Sequence, residues 1–124
     1  MKNILKNKSF SFSIHIVQLY KILTEHKEYV LSKQLLRSGT AVGALIREAE
    51  FAQSRADFIH KLHISLKEAN ETLYWLELLY QTDHIDDVLF DENAFLAKEL
   101  ISMLVSSIKT SKKALNHEKT QRSK

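Results

Sequence analysis

Residues 54–80, SRADFIHKLHISLKEANETLYWLELLY, decide the fold. Apolar residues recur in this stretch three or four positions apart, which is the spacing of one face of an α-helix. They are Phe58, Leu62, Leu66, Ala69, Leu73, Leu76 and Leu79 or Tyr80. Ser54 followed by Asp57 is close to the capping box that begins a helix, although that motif normally has Glu or Gln as its acid. The pattern predicts a helix of about 27 residues, roughly 40 Å long.

The preceding stretch, about residues 29–52, has the same helical periodicity. Leu31, Leu35, Val42, Ile46 and Ala49 share one face. Gly39 and Gly43 lie four positions apart among Ser38, Ala41 and Ala44. Each glycine inside a helix costs about 0.5–1 kcal/mol relative to Ala. We expect close packing by another helix to offset this cost; a site where a ligand contacts the backbone is the alternative.

The N-terminal stretch is ambiguous, because Ser9–Ile16 alternates with period two, as a strand does. The same region fits a helix, with Phe12, Ile16, Leu19, Tyr20 and Leu23 on one face. No second strand candidate follows, and a lone strand cannot satisfy its backbone hydrogen bonds. We therefore predict a helix from about Ser9 to Thr24, followed by a polar break at residues 25–28.

A fourth helix is predicted after a polar break at residues 83–87, with Asp86 or Asp91 as its cap. Its apolar positions are Leu96, Leu100, Met103, Leu104, Ile108 and Leu115. Four long amphipathic helices joined by short loops predict an all-α fold, an antiparallel up-down-up-down four-helix bundle. We expect one domain over residues 1–124, with an ordered core of about 8–115 and basic tails at 1–8 and 116–124.

The composition supports a helical protein of the cytoplasm. The 124 residues include no Cys, no Pro and two Gly. The absence of Cys excludes a disulfide scaffold and suits a reducing compartment, and the shortage of turn residues argues against an all-β fold. No apolar run is long enough to span a membrane, and the basic N-terminus lacks the apolar stretch of a signal peptide.

The net charge of +3 is distributed unevenly along the chain. Residues 1–8 contribute +3, residues 21–67 contribute +3, and residues 109–124, with six bases against Glu118, contribute +5. Residues 68–99 have nine acids against Lys98, a net −8. The basic ends are interpreted as solvated ends or as arms that contact phosphate. A third interpretation is that a basic part of one subunit faces an acidic part of the next.

The titratable side chains offer no metal or cofactor site that the sequence can complete. His60 and His63 lie three positions apart with Asp57 one turn earlier, but no Glu has a His three residues later, as di-iron bundles require. A zinc site lacks further ligands that we can place. We predict no metal and no cofactor.

Glu68 and Glu71, near Trp75, form the best candidate for acid–base catalysis, which needs two carboxyls with separated pKa values. They are equally suited to pair with basic side chains of the second helix, where Arg37 and Glu48 share a stripe. We favour structural ion pairs. No phosphate loop, nucleophile elbow or aromatic stacking platform is present, so we predict a protein that is not an enzyme, and no small-molecule substrate is identified.

Five motifs resemble the bacterial 23S ribosomal RNA intervening-sequence proteins. They are QLLRSGT at 34–40, REAE at 47–50, Ser54 with DFIHKL at 57–62, KEANET at 67–72 and YWLELL at 74–79. The resemblance covers about residues 8–115. It implies a four-helix bundle that assembles as a ring-like homopentamer, without an accepted enzymatic activity. The related accessory variability protein of diversity-generating retroelements is a positively charged pentamer that binds nucleic acid and a reverse transcriptase.

Two residues depart from the family pattern. Leu45 stands where the family usually has Asn, and Ala41 where it usually has Ser. Both remove polarity from the second helix, so the polar contact of the family pattern is not expected there. The modest net charge also weakens a transfer of the retroelement role.

We therefore expect a non-enzymatic homo-oligomer that binds RNA or a ribonucleoprotein through basic residues. The candidate residues are Lys109, Lys112, Lys113, Arg47, Arg55 and Lys61. The alternative is a protein–protein scaffold that has no contact with nucleic acid. Structural or interface roles are expected for Arg37, Gly39, Gly43, Glu48, Glu68, Glu71 and Trp75.

Overall fold

The computed structural model describes residues 2–123, with side chains described for 4–122, and this part of the chain forms four α-helices. They are α1 (Lys2–Glu25), α2 (Leu31–Ala49), α3 (Arg55–Gln81) and α4 (Asp87–Ser123). Each helix packs against the next one, and α4 also packs against α1. In the described residues the backbones of the diagonal pairs, α1 with α3 and α2 with α4, do not come close to each other. The predicted all-α four-helix bundle is confirmed.

Helix α1 confirms the helical interpretation of the N-terminal stretch, but it begins at Lys2 rather than near Ser9. Leu5 is buried in the core, and Lys6 pairs with Glu50 at 3.5 Å, which ties the first turns to α2. The Ser9 hydroxyl is buried and donates to the Lys6 carbonyl at 2.9 Å. The serines that produced the strand-like alternation therefore lie in a continuous helix, where their small size lets α2 approach.

Helix α2 is shorter than the predicted 29–52, because a carboxylate defines its start. Glu28 accepts hydrogen bonds from the amides of Leu31 at 2.9 Å and Ser32 at 2.7 Å, and the Ser32 hydroxyl donates to the Glu28 carbonyl at 2.7 Å. Partial burial works to raise the pKa of the Glu28 carboxyl, but these hydrogen bonds outweigh it and the pKa lies below its ordinary value. The preceding loop turns at Lys27, which has a φ of 66°.

Helices α3 and α4 begin at the predicted caps. The Ser54 hydroxyl accepts from the Asp57 amide at 3.1 Å, while the Asp57 carboxylate accepts from the amide of Gln53, the residue before the cap, at 3.2 Å. Asp86, rather than Asp91, caps α4 by accepting from the Leu89 amide at 2.9 Å. These caps satisfy amides that have no partner inside the helix.

The core contains apolar side chains from all four helices. The largest that are fully buried are Phe12, Ile16, Leu19, Leu23, Leu35, Leu62, Leu76, Leu79, Leu100 and Leu104. Buried polar groups join α2 to α3: the hydroxyls of Ser38 and Thr72 lie 2.9 Å apart, and the Ser65 hydroxyl donates to the Val42 carbonyl at 2.9 Å. Within residues 2–123, no helix has both the length and the apolarity needed to cross a lipid bilayer.

Candidate nucleic-acid interface

The second half of α4 presents three exposed basic residues of the predicted set. Helix α4 has 37 residues, against 27 in α3. Ile108 and Ser111 are buried and Leu115 is half-buried, so this part of the helix has an inward face. Lys109, Lys112 and Lys113 are exposed. Their spacing, three and four positions apart, places them close together on the helix surface.

Arg55 and Lys61 are engaged in ion pairs between helices. Arg55 Nε donates to Glu118 Oε1 at 2.8 Å, which connects the first turn of α3 to the end of α4. Lys61 Nζ donates to Glu48 Oε1 at 3.1 Å, which connects α3 to α2. The side chains of both ion pairs are about one-third to one-half exposed, so each pair stabilises the fold only slightly. A phosphate that binds either base must compete with its carboxylate.

Arg47 occupies a third environment, at the end of α2 beside α1. Its guanidinium carbon lies 5.0 Å from the centre of the Phe10 ring, within the range of a cation–π contact. Both side chains line an open groove between α1 and α2. Sequence reasoning missed this groove, because its two walls come from residues 27 to 38 positions apart along the chain.

The structure does not bring the six predicted bases into one patch. Lys109, Lys112 and Lys113 are together on α4, and Arg55 is joined to the same helix through Glu118. Lys61 faces α2 from α3, whereas Arg47 faces α1 from α2. The candidate interface is therefore the second half of α4 with the start of α3 beside it.

The predicted pairing of Glu68 and Glu71 with α2 is present. Arg37 Nη1 lies 3.2 Å from Glu68 Oε1, and Arg37 Nη2 pairs closely with the Glu71 carboxylate. Glu71 also accepts a hydrogen bond from the Trp75 indole N–H at 2.9 Å, and Arg37 Nε donates to Gln34 at 3.2 Å. Both carboxylates are held by partners on α2 and α3, which suits a structural role.

Gly39 and Gly43 lie where α1 crosses α2. A Cβ atom at Gly39 would come within 2.8 Å of Ile16 Cγ1 and Cγ2. At Gly43 it would lie 3.2 Å from the Ser9 carbonyl oxygen and 3.4 Å from Ser13 Oγ. The close approach of a second helix, expected from these glycines, is therefore present and is made by α1.

An acidic cavity at the α3–α4 turn was not predicted. Its lining includes Tyr80, Asp83, Asp86 and Asp87. Tyr80 donates to Asp87 Oδ1 at 2.5 Å, and this hydrogen bond, together with the charge of Asp87, raises the pKa of the phenol above its ordinary value. Tyr80 also stacks on Phe90, with ring centres 4.4 Å apart. A turn separates Tyr80 from its partners, so helical spacing gives no signal for these contacts.

His60 and His63 are not part of the lining of this cavity; on α3, His60 is exposed and His63 is half-buried. Across the part of the chain that the structure describes, no three His, Asp or Glu side chains are grouped as a metal site requires.

Comparison with known proteins identifies the bundle. The family model of the 23S rRNA-intervening sequence protein matches residues 1–106. A crystal structure from Bacteroides thetaiotaomicron, a protein with unknown function from the S23 ribosomal protein family, is similar with a TM-score of 0.86 and 57% sequence identity. The alignment covers 88% of this chain and 99% of that chain. Comparison with curated proteins gives no match.

The family match ends at residue 106, before the first of the three α4 lysines. The matched part contains the four-helix core, the two glycines and the Arg37 ion pairs. The basic second half of α4 therefore lies outside the match. Because the match covers most of the residues, the chain belongs to the 23S rRNA-intervening sequence protein family.

Proposed function

We propose that this protein is a non-enzymatic, homo-oligomeric binding protein that associates with RNA or a ribonucleoprotein through the second half of α4. One observation carries the proposal: Lys109, Lys112 and Lys113 are exposed on one helix and, among the described side chains, make no ion pair. Residues 109–124 have six bases and one acid, Glu118. That acid is itself paired with Arg55, so the lysines are left to bind phosphate.

The three lysines match the requirements of backbone recognition. Their ammonium groups are compact, mobile charges that contact phosphate without reading bases. Binding of this kind releases counterions and weakens steeply as salt rises. Arg55 is the next contributor, since it adjoins α4. Arg47 and Lys61 rank lower because they lie toward other helices.

The absence of enzymatic activity is also part of the proposal. The strongest catalytic candidates, Glu68 and Glu71, are bound by Arg37, and Glu71 also accepts the Trp75 N–H. These contacts support a structural role in joining α2 to α3.

The quaternary structure and setting complete the proposal. We propose a homopentamer in the bacterial cytoplasm, related to the accessory variability protein of diversity-generating retroelements, as the sequence resemblance implies. The surface supports assembly, because several large apolar side chains are exposed, including Phe10 at 52%, Phe51 at 84% and Phe95 at 65%. Sedimentation equilibrium of the full chain tests the stoichiometry, and a stable monomer at micromolar concentration would contradict it.

The binding test compares two triple variants of equal charge. Lys109, Lys112 and Lys113 are changed to Gln in one, and the exposed residues Lys21, Lys33 and Lys67 in the other. Fluorescence anisotropy of a labelled single-stranded RNA is measured over a series of KCl concentrations. We expect the α4 variant to reduce the slope of log affinity against log salt by about 2, while the control keeps the wild-type slope.

The alternative function is a protein–protein scaffold, which the exposed aromatic side chains favour. Capture of partners from cell extract, with and without nuclease, separates the two functions. Loss of the captured material after RNase treatment supports the RNA proposal. Capture of a protein that resists nuclease, together with no RNA binding at low salt, would replace it with the scaffold.

A further inference from the structure

An open groove between α1 and α2 is lined mainly by small and apolar groups. Its walls and floor are formed by Phe10, Ser13, Thr40, Gly43, Ala44 and Arg47. Its volume is about 260 Å³, more than that of a phenylalanine side chain. Gly43 provides the depth, because a Cβ there would extend to 3.2 Å from the Ser9 carbonyl. We call this the α1/α2 groove.

A single aromatic side chain projects from another side of the bundle. Phe95 is 65% exposed and lies at the centre of the outward face of α4, opposite the inward stripe formed by Asn93, Ala97 and Leu100. A large apolar side chain in this position is unfavourably solvated unless it is covered. Phe95 is on the outward face of α4, and the backbones of α4 and α2 do not come close, so Phe95 does not fill the groove of its own chain.

The charges around the two features are opposite. Three acids, Asp91, Glu92 and Glu99, flank Phe95 on its helix against Lys98. Glu99 and Glu92 contact Lys8 and His15 of the same chain, so Asp91 is the acid that has no such contact among the described ion pairs. Arg47, at the mouth of the α1/α2 groove, contacts the Phe10 ring and makes no ion pair with the described residues. Opposite charges on two surfaces favour the correct pairing and suppress others.

The two features also lie at the same height along the bundle. An ion pair joins Lys8 to Glu99 at 2.8 Å, and His15 Nε2 lies 3.2 Å from Glu92 Oε1, so residues 8–15 of α1 run beside residues 92–99 of α4. The α1 wall of the groove comes from this same stretch, and Phe95 lies in the middle of the matching stretch of α4.

We propose that Phe95 of one copy inserts into the α1/α2 groove of the next copy, with Arg47 facing the acids around Phe95. This inference rests on the proposed homo-oligomer and specifies its contact. The interface is heterologous, since different surfaces meet. Because both surfaces lie at one height, copies that pack with parallel bundle axes would not climb along that axis, as a closed ring requires.

The test uses variants that each disable one surface. Phe95→Ala removes the inserting ring, and Ala44→Glu fills the groove and places a carboxylate opposite the acids of α4. Both positions are exposed, so circular dichroism and thermal unfolding are expected to match the wild type. Tyr74→Ala removes an aromatic residue that is 56% exposed on α3 and serves as the control. Sedimentation velocity at micromolar concentration gives the assembly state.

We expect Phe95→Ala and Ala44→Glu to weaken self-association about tenfold or more, and Tyr74→Ala to leave it unchanged. In an equimolar mixture, Phe95 of the Ala44→Glu variant can still insert into the intact groove of the Phe95→Ala variant. The remaining surfaces of this pair are both disabled, so a dimer is expected to be the largest species. Wild-type assembly by both variants, or a mixture that stays monomeric, would overturn the proposed contact. A monomeric wild type would instead overturn the homo-oligomer itself.

Discussion

Helix α2 joins its two neighbours by different means. Against α1 the contact depends on shape: Gly39 receives Ile16 and Gly43 receives the Ser9 backbone, without a direct hydrogen bond between these pairs. Against α3 the contact depends on polar groups, namely the buried hydroxyls of Ser38 and Thr72 and the ion pairs of Arg37.

This difference predicts opposite sensitivities. A contact made by the absence of a side chain is intolerant of added atoms, because close-packed interiors cannot expand locally. A contact made by hydrogen bonds tolerates changes of similar size but is sensitive to a partner that is lost. Substitutions on the α1 side and the α3 side of α2 therefore test this difference, and we expect the losses of stability on the two sides to differ in size.

The largest effect is expected from Gly39→Val. Even a Cβ atom would lie 2.8 Å from both branches of Ile16, which is fully buried and cannot move aside. We expect a loss of about 3 kcal/mol in the free energy of unfolding, measured by urea denaturation. Gly43→Ala, with its nearest contact at 3.2 Å, is the matched control and should cost much less.

A double variant identifies the cause. Adding Ile16→Ala to Gly39→Val makes room for the new methyl groups, so the double variant should be more stable than the sum of the single effects implies. Simple additivity would show that steric overlap with Ile16 is not the cause.

The next effect is expected from Thr72→Val on the α3 side. The valine preserves the shape but leaves the buried Ser38 hydroxyl with only the Leu35 carbonyl, at 3.5 Å. We expect a loss of about 1–2 kcal/mol. Combining it with Ser38→Ala should recover part of this loss, and equal stability of the single and double variants would contradict the role of the hydroxyl pair.

A smaller effect is expected from Arg37→Gln, although Arg37 pairs with two carboxylates. The Arg37 side chain is 48% exposed, so solvent screens its attraction to Glu68 and Glu71. We expect a loss of about 1 kcal/mol or less at low salt, shrinking as NaCl is added. Lys33→Gln on the same helix is the control. If Arg37→Gln lowered the free energy of unfolding as much as Gly39→Val does, the polar contact with α3 would not be the less sensitive of the two contacts of α2.

The smallest effect is a pH dependence at the start of α2. Because the folded pKa of Glu28 is lowered, its stabilisation is fully present above the ordinary carboxyl pKa and is lost as the pH falls through the folded value. Glu28→Gln should remove about 0.5 kcal/mol near neutral pH and nothing in strong acid. Thermal unfolding across the acid range measures this, and Glu25→Gln, one turn earlier, should keep the wild-type profile.

Much of the fold was predictable because it follows from local periodicity. The apolar stripe of residues 54–80 and the Ser54 cap are local features, and both are present as predicted. The pairing of Arg37 with Glu68 and Glu71 was also accessible, since one stripe of α2 carries the base and the next helix carries both acids. The close approach at Gly39 followed from the cost of glycine in a helix.

Other features depend on how the helices are aligned along the bundle, which no local pattern encodes. Arg55 meets Glu118, 63 positions away, only because α3 and α4 are aligned in a particular register. The α1/α2 groove likewise depends on how α1 and α2 are aligned along the bundle. The start of α1 was missed because Ile4 and Leu5 alone carry the apolar signal of its first turns. The Glu28 cap was missed because Glu28 lies two residues before the N-cap position, Val30, and Glu is not a usual capping residue.

The second half of α4 has a further consequence for hydrogen exchange. Its inward face relies on Ile108, Ser111 and Leu115, and the Arg55–Glu118 pair links it to α3. Amide protection should therefore fall stepwise from residue 108 toward the C-terminus, where opening needs far less free energy than global unfolding. A bound ligand that orders these turns would slow exchange there first. Protection of these amides would then report binding without any label on protein or ligand.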